Sequence, residues 1–425
     1  MKINRVKGTY DVLPEESSKW QQLEQAIRDL TKVYDFLEIR TPMMEYSDVF
    51  HRENDLSDMV TKETYDFLDR SNRKLTLRPE GTAGVIRSYV EHKLYAEQSL
   101  KKVYYIGPNF RYERPQKGRY RQFSQFGIEA IGSSDPMIDA EVIMLSYDFI
   151  NKLGLKDVKV RLNSLGDKLS REAYQSALKA HFEPHRKTLC SDCQVRIDKN
   201  PLRILDCKVD AKHEAVLHAP TPIQYLNESS KAYFDQVIKY LDAADISYEL
   251  APRLVRGLDY YSHTVFEVEA KIEGFGAQNV LGGGGRYENL VEELGGPQTP
   301  GIGVAFGMER LLMAIEMENP SWFNQHHLDV YIIQFNDALK KEAVKIAHDL
   351  RAQGIKTNMN YLNRSFKAQL KEALRFNAKH MIFLGEDEYK KGYVAIKNSE
   401  TEVQENIKIE EIVSYLSKTI YGEEL

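Results

Sequence analysis

Two strand-like runs, Lys102 to Arg111 and Gln122 to Ile131, are joined by the loop Tyr112-Glu113-Arg114-Pro115-Gln116-Lys117-Gly118-Arg119-Tyr120-Arg121, and no other feature restricts the folds open to this chain as strongly. Such a long hairpin predicts an antiparallel sheet. Side chains alternate across a strand, so Phe123, Gln125, Gly127, Glu129 and Ile131 share one face, and Ser124, Phe126, Ile128 and Ala130 the other. The first face is poor core material, because a buried amide and carboxylate need partners. It reads either as a pocket floor, with Gly127 leaving room for a ligand, or as a solvated sheet face. From Lys101 to Arg121 seven basic residues oppose one acidic residue, Glu113. That positive projection suits a phosphodiester backbone, or simply water.

Around the hairpin, Trp20, Leu23, Ile27, Leu30 and Tyr34 recur at three and four, predicting an amphipathic helix from Pro14 to about Tyr34 with proline at its start. Leu37 to Arg40 reads as an edge-like strand stopped by Pro42. A helix over Asp135 to Gly154 and a strand over Val158 to Leu162 follow, and then a mostly helical insertion. Strand signals return at Val265 to Ala270, ahead of the glycine run Gly282-Gly283-Gly284-Gly285; Gly301 to Gly307 leads into an apolar helix, Met308 to Met317. From Leu328 onward a βαβ rhythm with a second buried strand, His380 to Leu384, marks a separate domain. The expected division is 1–169 and 246–325 as a split core, 170–245 as the insertion, and 326–425 as a C-terminal α/β domain.

With 58 basic and 63 acidic residues the formal charge is −5, so any nucleic-acid contact must use local patches. One is the hairpin loop. Another lies between Lys356 and His380, where Lys356, Arg364, Lys367, Lys371, Arg375 and Lys379 face a single acid, Glu372. Lys367, Lys371 and Arg375 are four apart and share one helix face, which is also what a solvated face would show. No stretch approaches eighteen uninterrupted apolar residues, and the basic start Met1 to Gly8 lacks a signal-like apolar core. A cytoplasmic protein that does not span a membrane is expected. Three cysteines are too few for a disulfide framework. Cys190-x-x-Cys193, Cys207 and His213 could form a Cys3His zinc site, or the cysteines are ordinary thiols in a helical insert.

No P-loop sequence occurs, and neither Gly274-x-Gly276 nor Gly301-x-Gly303 completes a dinucleotide fingerprint. Gly107 to Phe123, with Phe110-Arg111-Tyr112-Glu113 at its centre, instead resembles motif 2 of class II aminoacyl-tRNA synthetases. Gly303-Val304-Ala305-Phe306-Gly307-Met308-Glu309-Arg310-Leu311 resembles motif 3, and Pro42 after Glu38-Ile39-Arg40 is similar to the motif 1 proline of a dimer interface. Leu254-Val255-Arg256-Gly257-Leu258-Asp259-Tyr260-Tyr261 and Gly283-Gly284-Gly285-Arg286-Tyr287 are similar to the two signatures of the histidyl-tRNA synthetase family. The likeness spans essentially the whole chain.

That resemblance implies an α+β catalytic core, an antiparallel sheet flanked by helices, with a helical insertion and a C-terminal α/β anticodon-binding domain. It implies ATP-dependent attachment of L-histidine to tRNA(His) through a histidyl-adenylate, with Mg²⁺ on the β- and γ-phosphates, by a homodimer. Arg111 would hold the α-phosphate, Phe123 would stack on adenine and Arg310 would clamp the γ-phosphate. Arg256 would touch both the substrate carboxylate and the α-phosphate. Glu129 and Tyr261, with Tyr260 nearby, would read the imidazole, while Glu80, Thr82 and Gln125 surround the amino-acid end. Thr82 also reads as a helix N-cap before Ala83. Arg114, Lys117, Arg119, Arg121, Lys367, Lys371 and Arg375 are the implied tRNA contacts. A histidine-sensing regulatory paralogue and a plain RNA-binding module are the rival readings; neither needs Arg111, Phe123 and Arg310 together.

Overall fold

In the computed structural model the hairpin sits inside an eight-stranded sheet ordered Leu37–Glu38, Lys101–Phe110, Gln122–Ile131, Gly301–Gly307, Val280–Tyr287, Tyr261–Ala270, Val158–Ser164 and Tyr248–Leu250. The structure describes residues 3–52, 58–97, 99–116, 118–256, 260–275, 279–324 and 327–422, so Lys117 and residues 257–259 of the first histidine-type signature lie outside the described residues. Every inner pairing is antiparallel, whereas the two short edge strands pair in parallel. The chain divides into two compact units, Met1–Phe323 and Asn324–Leu425.

Strand alternation makes the sheet two-faced. Phe126, Ile128 and Ala130 join Ile302, Val304, Phe306, Phe266 and Val268 in one continuous core. Helices Pro14–Val33, Pro136–Lys152 and Glu228–Ala243 cover that face with Leu23, Ile27, Phe149, Val237 and Leu241, all fully buried. Phe126, Phe149 and Phe306 interlock with ring centroids 5.1 to 5.8 Å apart, and each such buried aromatic contributes about 1.5–3 kcal/mol. The helix Pro136–Lys152 starts where it does because Pro136 occupies its first turn and the Asp135 carboxylate accepts the Met137 N–H at 2.8 Å.

Composition alone gave the glycine run no secondary structure, yet it is a central strand, Val280–Tyr287. Its Arg286 turns away from the polar face into the core side, where it pairs with the fully buried Asp139 at 2.5 Å through Nη2 and 3.0 Å through Nε. Thr264 Oγ1 donates to the same carboxylate at 2.6 Å, and Arg286 Nη1 donates to the Ser133 carbonyl at 2.9 Å. The pair thus staples the strand to the helix Pro136–Lys152 with its hydrogen-bonding capacity largely used.

The insertion has its own small core, in which Tyr174, Leu178, Phe182, Cys193 and Ile197 are buried. His213 does not join the cysteines, contrary to the Cys3His arrangement. Its Nδ1 accepts the Ala215 N–H at 3.1 Å as a helix cap, and its Nε2 lies 3.0 Å from Thr188 Oγ1. The second unit is a five-stranded sheet ordered Thr357–Met359, Val330–Gln334, His380–Leu384, Tyr393–Asn398 and Gln404–Lys408, with the first three strands parallel. Val330–Gln334 is buried along its whole length, as a strand covered on both faces must be. On the helix Phe366–Arg375, Lys367, Lys371 and Arg375 are exposed, and Arg375 and Arg364 both reach Glu372, at 3.4 and 2.8 Å.

Replacing Arg286 by Leu leaves the Asp139 carboxylate buried without its cation. The expected loss is about 3–5 kcal/mol of stability, and the double variant Arg286→Leu/Asp139→Leu recovers part of it. Urea unfolding followed by tryptophan fluorescence reads both, and a single variant as stable as the parent would show that the pair holds nothing together.

Candidate active site

The other face of the sheet opens into a cavity of about 580 Å³. Glu80, Thr82, Arg111, Phe123, Gln125, Glu129, Arg256, Tyr260, Tyr261 and Arg310 all line it. Alternation along Gln122–Ile131 delivers Phe123, Gln125 and Glu129 from one strand, while the loop ends, the neighbouring strands and the start of the helix Met308–Glu318 supply the rest. Of the basic loop, Arg119 also lines the cavity. Arg121 instead stacks over Tyr112, 3.9 Å from its centroid, and its backbone N–H donates to the Gly8 carbonyl at 2.8 Å, tying the loop base to the N-terminal segment.

One end of the cavity is cationic. The Arg111 guanidinium lies 5.2 Å from the centre of the Phe123 ring and donates through Nε to the Pro79 carbonyl at 2.9 Å. Arg310 donates to the Val280 carbonyl at 3.1 Å. Burial, and then the like charge of Arg119, Arg111 and Arg256, pulls the Arg310 guanidinium below its ordinary value, with Glu113 opposing. Arg256 pairs with Glu267 and lies flat over Gly283, where any Cβ would collide with its guanidinium. The backbone has to come that close, which is a physical reason for glycine there. Cations gathered this closely form a ready receptor for a polyanion.

The other end is anionic. Glu129 is 1% exposed, accepts from Thr82 Oγ1 at 2.6 Å and from the Tyr287 hydroxyl at 2.9 Å, and faces Gly303, whose Cβ would strike the carboxylate. Burial, reinforced by the charge of Glu80, pushes its carboxyl up to about 8, against the pull of those two donors. Thr82 is the first residue of its helix rather than its cap. The Glu80 carboxylate takes the capping role, accepting the Thr82 and Ala83 N–H groups at 3.1 and 3.0 Å, and it also accepts from the Tyr260 hydroxyl at 3.4 Å. Gln125 is oriented by Asn109, whose Nδ2 donates to its Oε1 at 2.6 Å. The rings of Tyr260 and Tyr261 pack edge-on at 4.9 Å.

Several cavity residues escaped the sequence reading. Tyr287 stands two positions beyond Gly285 on the same strand face, so alternation would have found it. Glu309 immediately precedes Arg310; it accepts from the Ser124 N–H at 2.8 Å and the Tyr10 hydroxyl at 3.0 Å, and burial pushes its carboxyl up to about 7. Arg203, Asp206 and Lys208 reach the wall from the insertion, a contact between distant segments that no local pattern signals.

The family model for histidyl-tRNA synthetase matches residues 8–311, and an anticodon-binding-domain model matches 329–419. The chain is 56% identical over 420 residues to the histidine–tRNA ligase of Acholeplasma laidlawii, covering 99% of this chain and 100% of that protein. It is 52% identical over 414 residues to that of Lysinibacillus sphaericus, covering 97% and 98%. The crystal structure of the apo S. aureus histidyl-tRNA synthetase superposes with a TM-score of 0.84 at 42% identity, over 98% of this chain and 100% of that one. A cavity with a cationic and an anionic end on a two-faced antiparallel sheet, and relatives matched end to end, lead to one conclusion: the chain belongs to the histidyl-tRNA synthetase family.

Proposed function

We propose that this cavity carries both steps of the ATP-dependent attachment of L-histidine to tRNA(His): formation of a histidyl-adenylate, then transfer to the terminal ribose. The observation that supports it best is the charge layout, with Arg111, Arg310 and Arg256 at one end and Glu129 and Glu80 at the other. The substrate carboxylate must attack an α-phosphate while both are anionic. Arg111 and Arg256 stand where donors to both groups are needed, and fixed donors lower such a barrier because they need not reorganise. Arg310 takes the γ-phosphate and Phe123 offers its ring to adenine. ATP would enter as its magnesium complex; Glu113 and Glu309 are among the carboxylates that line the cavity and would offer that ion hard oxygen donors.

Glu129 and Tyr261, with Tyr260 nearby, read the imidazole of histidine, and Glu80, Thr82 and Gln125 hold the amino-acid end. A site built of committed hydrogen-bond partners rejects analogues that leave them unpaired. Arg114, Lys117, Arg119 and Arg121 track the acceptor end of tRNA, and Lys367, Lys371 and Arg375, which are exposed on one helix, track its anticodon. Among the described residues no helix is long and apolar enough to cross a membrane, and a cytoplasmic location accords with three free cysteines. Leu37, Met43, Met44, Tyr46 and Leu68 are all more than half exposed around Pro42, an apolar surface that supports a homodimer.

Histidine-dependent ATP–pyrophosphate exchange tests the reading, and its absence in the wild-type protein would sink it. Arg256→Ala is expected to slow exchange by about a hundredfold or more; Glu267 keeps Arg161 at 3.7 Å, so the fold has no reason to fail. An Arg256→Ala rate equal to wild type would remove Arg256 from the chemistry. Sedimentation velocity is expected to show a species of twice the 49.1 kDa chain, and a purely monomeric profile would contradict the dimer.

Glu129 yields a pH prediction. Its carboxyl is raised from 4.5 to about 8 in the folded protein, so the native state keeps a proton that the unfolded chain has released. Stability therefore falls as pH rises between those values. Glu129→Gln, which mimics the protonated form, should be neutral near pH 5 and stabilising above pH 8, on the order of 3 kcal/mol. It should also raise KM for histidine roughly 10- to 100-fold, because an amide, unlike the carboxyl, cannot give up a proton to become a charged acceptor when the ligand binds. Thermal unfolding scans across pH check the first part, and steady-state exchange kinetics the second.

A further inference from the structure

The cysteines of the insertion remain outside the chemistry described above. Cys190, Cys193, Cys207 and Asp210 bring their Sγ and carboxylate oxygen atoms within 4.8 Å of one another, and three of the four residues are buried. Two turns of the same form meet there, Cys190-x-x-Cys193 and Cys207-x-x-Asp210. Cys190 Sγ lies 3.8 Å from Cys207 Sγ, and Cys207 Sγ lies 3.9 Å from Asp210 Oδ2. A disulfide needs sulfurs about 2.05 Å apart. Two sulfurs on a tetrahedral zinc ion, with Zn–S bonds of about 2.3 Å, stand roughly 3.8 Å apart.

Hydrogen bonds hold the ligands in that arrangement. The Cys190 N–H donates to both Asp210 oxygens, at 3.0 and 3.2 Å, and the Asp210 N–H donates to Cys207 Sγ at 3.5 Å. Asp210 is 7% exposed, and among the described residues no lysine or arginine pairs with it. A carboxylate that converges on three thiols, with no lysine or arginine on it, offers a cation four ligand atoms at once. His213 cannot serve without giving up its helix cap.

We propose that Cys190, Cys193, Cys207 and Asp210 bind one zinc ion as a closed, four-coordinate structural site. Three soft sulfurs and one carboxylate oxygen select zinc over the hard divalent cations, and closure leaves no position for substrate. Binding displaces the thiol protons and forms three Zn–S bonds and one Zn–O bond, without redox change. The ion joins the helix Ser191–Lys199 to the segment that carries Arg203, Asp206 and Lys208 into the cavity wall, where Arg203 Nη1 donates to the Arg256 carbonyl at 3.4 Å.

Metal analysis of the full-length protein, purified reduced and without chelator, decides the matter independently of activity. About one zinc per chain is expected, together with thiolate-to-metal charge-transfer bands after cobalt substitution. Cys207→Ser and Asp210→Ala should each lose the metal, while His213→Ala keeps it. No stoichiometric metal in the wild type, with three freely reacting thiols or a Cys190–Cys207 disulfide, would overturn the site even if the variants fail to fold. Retention by Asp210→Ala with loss in His213→Ala would overturn the ligand set. Because wild-type metal content is read without substrate, failure here leaves the histidylation assay untouched.

Discussion

Repulsion among guanidinium groups is the constraint around which this molecule is arranged. Arg111, Arg119, Arg256 and Arg310 face one cleft, where burial and then the charges of the other three depress Arg310. A folded protein holds such a cluster only if other interactions keep the side chains in place. Here carbonyl oxygens do so for Arg111 and Arg310, and Glu267 does so for Arg256. What those restraints leave unsatisfied is available to phosphate. At the other end burial, reinforced by the charge of Glu80, raises the Glu129 carboxyl to about 8. Each end thus suits a ligand group of opposite character, which is the arrangement that the proposed pairing of histidine with ATP requires.

The sheet makes this possible by keeping the two chemistries on opposite faces. Ile128 and Phe126 bury into the helices, so Glu129 and Gln125 have no choice of side. Neighbouring strands then have to leave room. Gly303 opposes Glu129 in register, where a Cβ would meet both the carboxylate and the Ile128 carbonyl, and Gly283 lies under Arg256, whose guanidinium a Cβ would displace. Arg286 shows the cost of the arrangement on the core face: a charge placed there needs Asp139, Thr264 and the Ser133 carbonyl to be tolerated.

Alternation and helical periodicity were enough to read the hairpin strands, the helices from Pro14 and Asp135, and the βαβ rhythm after Leu328, because these depend on local pattern. The family resemblance, carried by motifs 2 and 3 and the two histidine-type signatures, put ten side chains forward that the fold gathers into one cavity. Less was legible where long-range packing decides. The central strand Val280–Tyr287 carries no β-branched run apart from its first residue, and only pairing on both sides makes it a strand. The three-stranded sheet of Met44–Tyr46, Tyr65–Leu68 and Lys74–Leu77 is built of pieces too short to show a period. His213 looked like a ligand by spacing, but its ring was claimed by a helix end.

The insertion shows why domain reading from sequence misplaces function. Helical and separately cored, residues 170–245 look like an appendage, yet Arg203, Asp206 and Lys208 stand in the wall of the cavity. The chain from Pro201 to Asp210 is a short helical turn followed by irregular backbone, and such segments have little stability of their own. Its buried residues are Pro201, Leu202, Ile204, Cys207 and Asp210. Two of those five are ligand types rather than plain apolar groups, and no plain apolar anchor is buried after Ile204, on the stretch that leads to Lys208 in the wall. A bond at Cys207 and Asp210 acts within a few residues of Arg203, so whatever fixes that cluster also fixes one boundary of the cavity.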